Sequence, residues 1–244
     1  MENKIEVKPY SADGSKKEQI AEMFDNVAHR YDFLNRALSL GIDVWWRKKA
    51  LLTLKDLKPK TVLDVATGTA DVAIMCNKLL NPDKIIGVDI SAGMLQHGGV
   101  KIAELGLQNK ITLQLSDGEK LPFPDNSFDA VTIAYGIRNF EHVEQGLSEM
   151  HRVLKPNGEI MVLEFSKPTI FPFKQLFNFY FKNILPIVGR LTSKDPKAYT
   201  YLFESVQTFP DGQNFVNLLV KSGFKNSKCI PLTLGISTIY KGAK

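Results

Sequence analysis

Between residues 61 and 165 the chain alternates short apolar runs with helix-period segments, and this alternation restricts the fold more than any other feature. Runs at 61–66, 84–89, 111–115, 128–134 and 159–165 are rich in Val, Ile and Leu and too short for helices. Segments at 70–80, 92–105 and 143–154 read as the intervening helices. Asn81-Pro82, Gly106 and Lys155-Pro156-Asn157-Gly158 punctuate the series. Strands that alternate with helices in this way build a parallel, doubly wound α/β sheet. Such sheets bind ligands beyond the carboxyl ends of their strands, near the point where strand order reverses.

The flanks extend this core. Ile20, Met23, Phe24, Val27, Tyr31 and Leu34 recur at helical steps and predict one amphipathic helix over 18–38. A second helix is expected from Asp43 to about Leu54, so residues 1–55 read as an N-terminal helical cap on a core of 56–244. Near the C-terminus, 211–222 reads as a helix, and 224–230 with 234–240 as two strands pairing antiparallel at a sheet edge. The expected total is seven mostly parallel strands. An insertion at about 167–205 interrupts the pattern with Pro168, Pro172, Pro186 and Pro196. Its first half holds Phe171, Phe173, Phe177, Phe179, Tyr180 and Phe181, with Lys174, Asn178 and Lys182 as a polar stripe. A helix between Pro172 and Pro186 would be roughly 20 Å long, too short to cross a bilayer.

Composition excludes several classes. A net charge of +5 over 244 residues does not require nucleic acid, and the aromatic residues gather in a segment almost without charge. Cys76 and Cys229 stand alone, with no metal-site spacing and no disulfide framework, so no metal is expected. The first residues lack the apolar run of a signal peptide, and no stretch of 18 apolar residues occurs, so the expected location is cytoplasmic.

The first strand, Val62-Leu63-Asp64-Val65, runs into Ala66-Thr67-Gly68-Thr69-Ala70-Asp71. A dinucleotide fold wants G-x-G-x-x-G at this turn, and only Gly68 is present. Asp89 closes the second strand 21 residues after Gly68, the spacing of an acid that accepts both ribose hydroxyls. Asp117-Gly118 follows the third strand, where an adenine edge would fall. Asp64 suits a ligand carrying an ammonium or sulfonium group. Polar points on successive strand ends fit an adenosyl ligand without phosphates, and S-adenosylmethionine meets that description. Plainer roles stay open: Asp64 satisfying the loop, Asp89 capping the next helix, Asp117 holding an Asx turn.

Two long stretches go further. They are Tyr31-Asp32-Phe33-Leu34-Asn35-Arg36-Ala37-Leu38-Ser39, continuing to Trp45-Trp46-Arg47, and Arg152-Val153-Leu154-Lys155-Pro156-Asn157-Gly158-Glu159-Ile160-Met161-Val162-Leu163-Glu164-Phe165-Ser166. With Leu121-Pro122-Phe123-Pro124-Asp125, Gly136-Ile137-Arg138-Asn139 and Tyr201-Leu202-Phe203-Glu204-Ser205, they make the chain resemble the class I S-adenosylmethionine-dependent methyltransferases. Within that class it is similar to the UbiE/MenG family of quinone-biosynthesis C-methyltransferases. The resemblance implies cofactor contacts at Thr67, Gly68, Asp89, Asp117 and Gly118. Two departures stand out: Ala70 occupies the place of a second turn glycine, and Ala134 that of a serine found in some relatives.

The resemblance also implies methyl transfer to a ring carbon of a polyprenylated quinol, with demethylmenaquinol as the expected acceptor. Arg138 would stabilise a developing quinolate, directly or through a water, and Asn139 would orient the ring oxygen. Tyr31, one turn from Asn35, would close over the methionine moiety, and His29 is an alternative base. The aromatic insertion would act as a lid for the prenyl tail, with transient contact at the inner membrane face; core packing or a homodimer contact explains it equally well. Other acceptors remain open: a polyprenyl benzoquinol of ubiquinone biosynthesis, or another lipidic phenol. So does a cofactor-binding regulator or RNA-binding protein without the chemistry.

Overall fold

The computed structural model describes residues 7–10, 13–180, 183 and 197–244. Three helices precede the sheet: α1 (Lys16–Val27), α2 (Tyr31–Leu38) and α3 (Ile42–Leu52). The core runs β1 (Thr61–Val65), α4 (Asp71–Leu80), β2 (Lys84–Asp89), α5 (Ala92–Glu104), β3 (Ile111–Leu115), β4 (Phe128–Ala134), α6 (Val143–Val153) and β5 (Leu154–Phe165). Then come α7 (Phe173–Phe179), α8 (Lys197–Thr208), α9 (Gln213–Lys221), β6 (Lys225–Leu232) and β7 (Ser237–Ala243). The seven strands form one sheet in the order β3-β2-β1-β4-β5-β7-β6. All neighbours are parallel except β7, which runs antiparallel to β5 and β6. The alternating run therefore makes the expected doubly wound sheet, and the C-terminal pair forms the expected edge hairpin.

Both faces of the sheet are covered, which is why the strands read as apolar runs rather than alternating ones. On one face α6 and α9 bury Leu147, Met150, Phe215 and Leu219 against Leu63, Val131 and Ile160. On the other, α3 and α4 bury Trp46, Leu51, Ala73 and Cys76 against Val62, Ile85 and Leu163. Strand order reverses between β1, which leads outward to β2, and β4 on its other side. The β1–β4 register sets Asp64 beside Thr132.

Three local expectations change. The single helix over 18–38 is two helices, because Ala28-His29-Arg30 tightens into a 3₁₀ turn and Arg30 leaves helical geometry. No proline or glycine causes this; the break lets Asp25 and Asp32 reach different partners, described below. The first helix also begins at Lys16, where Ser15 and Glu18 form a reciprocal capping box. Lys155-Pro156-Asn157-Gly158 does not separate helix from strand but lies inside β5, where the pairing with β4 shifts register. Of the aromatic insertion, α7 and Tyr180 are described; Phe181, Lys182, Pro186 and Pro196 lie outside the described residues. Phe177 is buried with Leu34 and Val206, so that position is core, whereas Phe171, Leu176 and Phe179 are exposed.

Candidate active site

Loops from β1, β2, β3 and β4 converge at the carboxyl end of the sheet. In the first, Ala66, Gly68 and Ala70 have φ of 51°, 56° and 64°, a left-handed geometry that only glycine adopts without penalty. Thr67 N donates to Val88 O at 3.0 Å and pins the turn to β2. Backbone strain of this kind persists where the surrounding fold holds it, and here it carries the Gly68 N–H to Asp89 Oδ2 at 2.8 Å. Asp89 Oδ1 accepts from Ser91 N at 2.9 Å. Burial pushes the Asp89 carboxyl above its ordinary range, opposed by these N–H groups. The carboxylate retains lone-pair capacity for a ligand hydroxyl.

A cleft of about 660 Å³ opens above these loops, its volume continuous with solvent. Gly68, Asp89, Asp117, Gly118, Asn139 and Tyr31 all line it. Asp117 Oδ1 accepts from Glu119 N at 2.9 Å, the Asx turn foreseen as the plainer role, and Oδ2 accepts from Lys17 Nζ at 2.5 Å. At Gly118 a Cβ would stand 2.5 Å from Phe140 Cζ, so the missing side chain makes room for that ring. A second, smaller pocket adjoins the cleft, with Tyr31 and Gly68 bordering both. It is lined by Arg47, Asp64, Thr67 and Asp71. The Thr67 hydroxyl donates to Asp64 Oδ2 at 2.6 Å, and Thr132 donates to Oδ1 at 2.6 Å. Burial pushes Asp64 up to about 6 despite those two hydroxyls. Burial also works against charge on Asp71, but Arg47, Lys101 and Arg36 hold its carboxyl below the usual range.

The helical cap closes the site by ties that join distant parts of the chain. Lys16 Nζ donates to the main-chain oxygens of Phe140 and Arg138 at 2.8 and 3.3 Å. Lys17, the next residue, reaches the loop after β3 through Asp117. Thus α1 bridges two rims of the cleft. Asp25 caps α5 from outside, accepting from Gly93 N at 2.9 Å and Ser91 Oγ at 2.5 Å. Asp32, beyond the helix break, accepts from Thr69 Oγ1 at 2.6 Å and Lys101 Nζ at 2.8 Å. A continuous helix would keep these two carboxylates, seven residues apart, on one face and about 10 Å from each other.

On the side away from Asp89, Tyr135 has φ 60° and Gly136 follows it. A Cβ on Gly136 would lie 2.4 Å from the Ala66 Cβ, so glycine lets the β1 and β4 exits cross. Asn139 Oδ1 accepts from Tyr201 Oη at 3.2 Å, tying the loop to α8. Arg138 lines neither pocket. Its Nη1 donates to Tyr135 O at 2.5 Å and to Glu164 Oε1 at 2.9 Å, and its guanidinium lies 5.6 Å from the Phe165 ring centre. Tyr31 feels both Arg47 and Arg138; burial still raises its hydroxyl above the ordinary value. His29 is exposed and borders neither pocket. The residues that motif reading left without a role are Lys16, Lys17, Asp25, Asp32, Arg47 and Glu164. Asp32, Arg47 and Glu164 stood inside the quoted stretches; Lys16, Lys17 and Asp25 carried no local signal.

Residues 12–244 match the ubiE/COQ5 methyltransferase family. The chain belongs to that family. A Bacteroides fragilis protein named demethylmenaquinone methyltransferase is 48% identical over 98% of this chain and 97% of its own length. A Geotalea daltonii protein named ubiquinone/menaquinone biosynthesis C-methyltransferase UbiE is 47% identical over 94% of this chain and 97% of its own. A solved S-adenosylmethionine-dependent methyltransferase from Thermotoga maritima shares the fold, with a TM-score of 0.65 at 16% identity, covering 92% of this chain and 99% of that one. The ubiE/COQ5 member described here is thus a class I methyltransferase in fold, and its cofactor is S-adenosylmethionine. The side chains suit that cofactor. Arg47, whose buried Nε has no hydrogen-bond partner among the described residues, lines the smaller pocket and brings a guanidinium to it.

Proposed function

We propose that this protein methylates a ring carbon of demethylmenaquinol in menaquinone biosynthesis. The observation that carries the proposal is the joining of two pockets at Tyr31, between an adenosyl-sized cleft and a buried arginine–carboxylate pocket, in a chain whose relatives bear that activity's name. Asp89 would accept the ribose hydroxyls, Asp117 an adenine N–H, and Arg47 the methionine carboxylate. S-adenosylmethionine supplies an electrophilic methyl, which leaves its sulfonium sulfur as a new bond forms to the ring carbon. Phe24 and Tyr31, in edge contact at 5.9 Å between ring centres, wall off water on the cap side. Arg138 and Asn139 would hold the quinol oxygen while its O–H proton departs, and Arg138, always charged, favours the resulting oxyanion.

Mass spectrometry of quinones from cells lacking the protein tests the acceptor. Demethylmenaquinone should accumulate and disappear on return of the wild-type chain but not of Asp89→Ala. Accumulation of a benzoquinol precursor instead would favour the second reading, which the UbiE name of the relatives supports.

We also infer transient contact with a bilayer surface. Among the described residues no helix is long and apolar enough to cross a membrane. Leu40 is 94% exposed and Phe171 76%, and Leu176 and Phe179 on α7 are exposed as well. Tyr180 Oη donates to Leu38 O at 2.7 Å, so α2 and the end of α7 form one surface. Such a surface suits a prenylated acceptor drawn from lipid. A Phe171→Ser/Leu176→Ser/Phe179→Ser variant should lose flotation with anionic liposomes; flotation equal to wild type refutes the contact. A homodimer through the same surface would show instead as a mass change on gel filtration.

A further inference from the structure

Glu164 is the last residue but one of β5, its side chain wholly buried, and among the described residues Arg138 is its one ion-pair partner. The carboxylate is built into a fixed cradle. Oε1 accepts from Phe165 N at 2.8 Å and from Arg138 Nη1 at 2.9 Å, and Oε2 accepts a longer bond of 3.4 Å from Arg138 N. Arg138 is held from below by the same carboxylate and by Tyr135 O, and from the side by the Phe165 ring. Its side chain is 8% exposed, yet Nε has no hydrogen-bond partner among the described residues. A buried guanidinium with one edge satisfied and another bare is costly unless an oxygen completes it. Gly136, two residues before it, and Asn139, the residue after it, line the cleft.

We propose that Glu164 is a positioning residue for the methyl acceptor: it holds Arg138 in a single orientation and cancels its charge, so that the free guanidinium edge meets a neutral quinol hydroxyl. The proposal rests on Arg138 as the group that holds the quinol oxygen. A neutral pair donates a strong hydrogen bond without ionising the bound phenol in advance, and it gives anionic aromatics no net attraction. The groups that face Glu164 agree with this. Tyr135 and Tyr240, the titratable neighbours from β4 and β7, are both pushed well above the ordinary tyrosine range by burial, so they stay neutral. Ser237 Oγ from β7 donates to the Glu164 main-chain oxygen at 3.2 Å. Arg47 stands beyond Tyr135, 6.0 Å from its ring centre, and is paired with Asp71.

The experiment uses the full chain saturated with S-adenosylhomocysteine and follows the ionisation of bound 1-naphthol by its absorbance. In Glu164→Gln the uncancelled guanidinium should lower the apparent pKa of bound naphthol by about one unit or more. The acid limb of the kcat/KM profile with quinol should move the same way, while S-adenosylhomocysteine affinity stays within about twofold. Glu164→Asp keeps the charge but shortens the arm, so it should lower kcat and leave the naphthol pKa in place. An unmoved naphthol pKa in a folded Glu164→Gln protein overturns the proposal, whatever happens to kcat. If that variant does not fold, Arg138→Gln leaves the carboxylate uncancelled and should raise the bound naphthol pKa by a similar amount; no rise overturns it equally. Full quinol turnover by Arg138→Met would remove the reading of Arg138 itself, a separate failure from that of Glu164.

Discussion

Gly146 in α6 offers a test in which helix propensity and packing predict opposite signs. A glycine in a helix interior costs about 1 kcal/mol relative to alanine, so Gly146→Ala in a bare helix would stabilise. Here a Cβ would stand 2.3 Å from Phe140 Cε2 and 2.4 Å from Cδ2. The ring cannot retreat, because a Cβ at Gly118, on the next loop, would already lie 2.5 Å from Phe140 Cζ, and Lys16 holds the Phe140 carbonyl at 2.8 Å. Overpacking of this kind costs about 1–3 kcal/mol, commonly more than the propensity gain. The expected net effect is a loss of up to about 2 kcal/mol, a fall in Tm of up to about 4–8 °C for a chain of this size. Phe140 lines the cleft proposed for the cofactor, so S-adenosylhomocysteine affinity should fall with it. Differential scanning calorimetry and titration calorimetry read both effects. In a Phe140→Leu background the clash is gone, and the same Gly146→Ala change should stabilise by about 0.5–1 kcal/mol. A rise in Tm from Gly146→Ala alone, with affinity unchanged, would refute the wedge between the two glycines.

Asp64 and Ala70 give two further expectations. The native Asp64 carboxyl lies at about 6 against an ordinary 3.8, so the folded state binds the extra proton between those values. Stability from this group therefore rises as pH falls through about 6 and is complete below about 4, amounting to about 3 kcal/mol. The stability difference between wild type and Asp64→Asn, by urea titration from pH 8 to 4, should grow in favour of wild type; a flat difference contradicts the buried-acid account. Ala70→Gly relieves left-handed strain worth about 1–2 kcal/mol. It also gives up a fully buried methyl worth about 0.8 kcal/mol and about 0.4–1 kcal/mol of unfolded-state restriction. The sums nearly cancel, so Tm should stay within about 3 °C; a larger change would show that the turn is strained or packed differently.

How much of this was legible in the chain follows from the range of each interaction. Strand and helix alternation, the single-glycine turn, the Asp89 spacing and the edge hairpin rest on contacts within a few residues or on burial patterns, and the seven-stranded sheet agrees with them. Asp89, Asp117 and Gly118 were marked by position after strand ends, Thr67 and Gly68 by the family resemblance, and all five border the joined pockets. Their partners were not marked. Lys16 meets the carbonyl of Phe140 from 124 residues away, and Tyr201 meets Asn139 across 62. Charge alone does not say which of 31 Lys and Arg residues will find a carbonyl and which will stay in water.

The same limit explains the helix that broke and the arginine that turned. An unbroken amphipathic period over 18–38 was a correct description of the side chains, but Asp25 and Asp32 were claimed by α5 and by the turn after β1. Backbone hydrogen bonds lost at a 3₁₀ step are small beside the charged hydrogen bonds that these two carboxylates accept. Arg138 sat in a motif that pointed to the acceptor; only the parallel pairing of β4 with β5 revealed that Glu164 lies within reach of it. The sequence alone determined the sheet, the strained turn after β1 and the family, because these are written in periodicity, local turn chemistry and long motif stretches. Tertiary structure decided which charges face one another across the cleft, because a charge takes its partner from whatever the fold brings within a few ångströms.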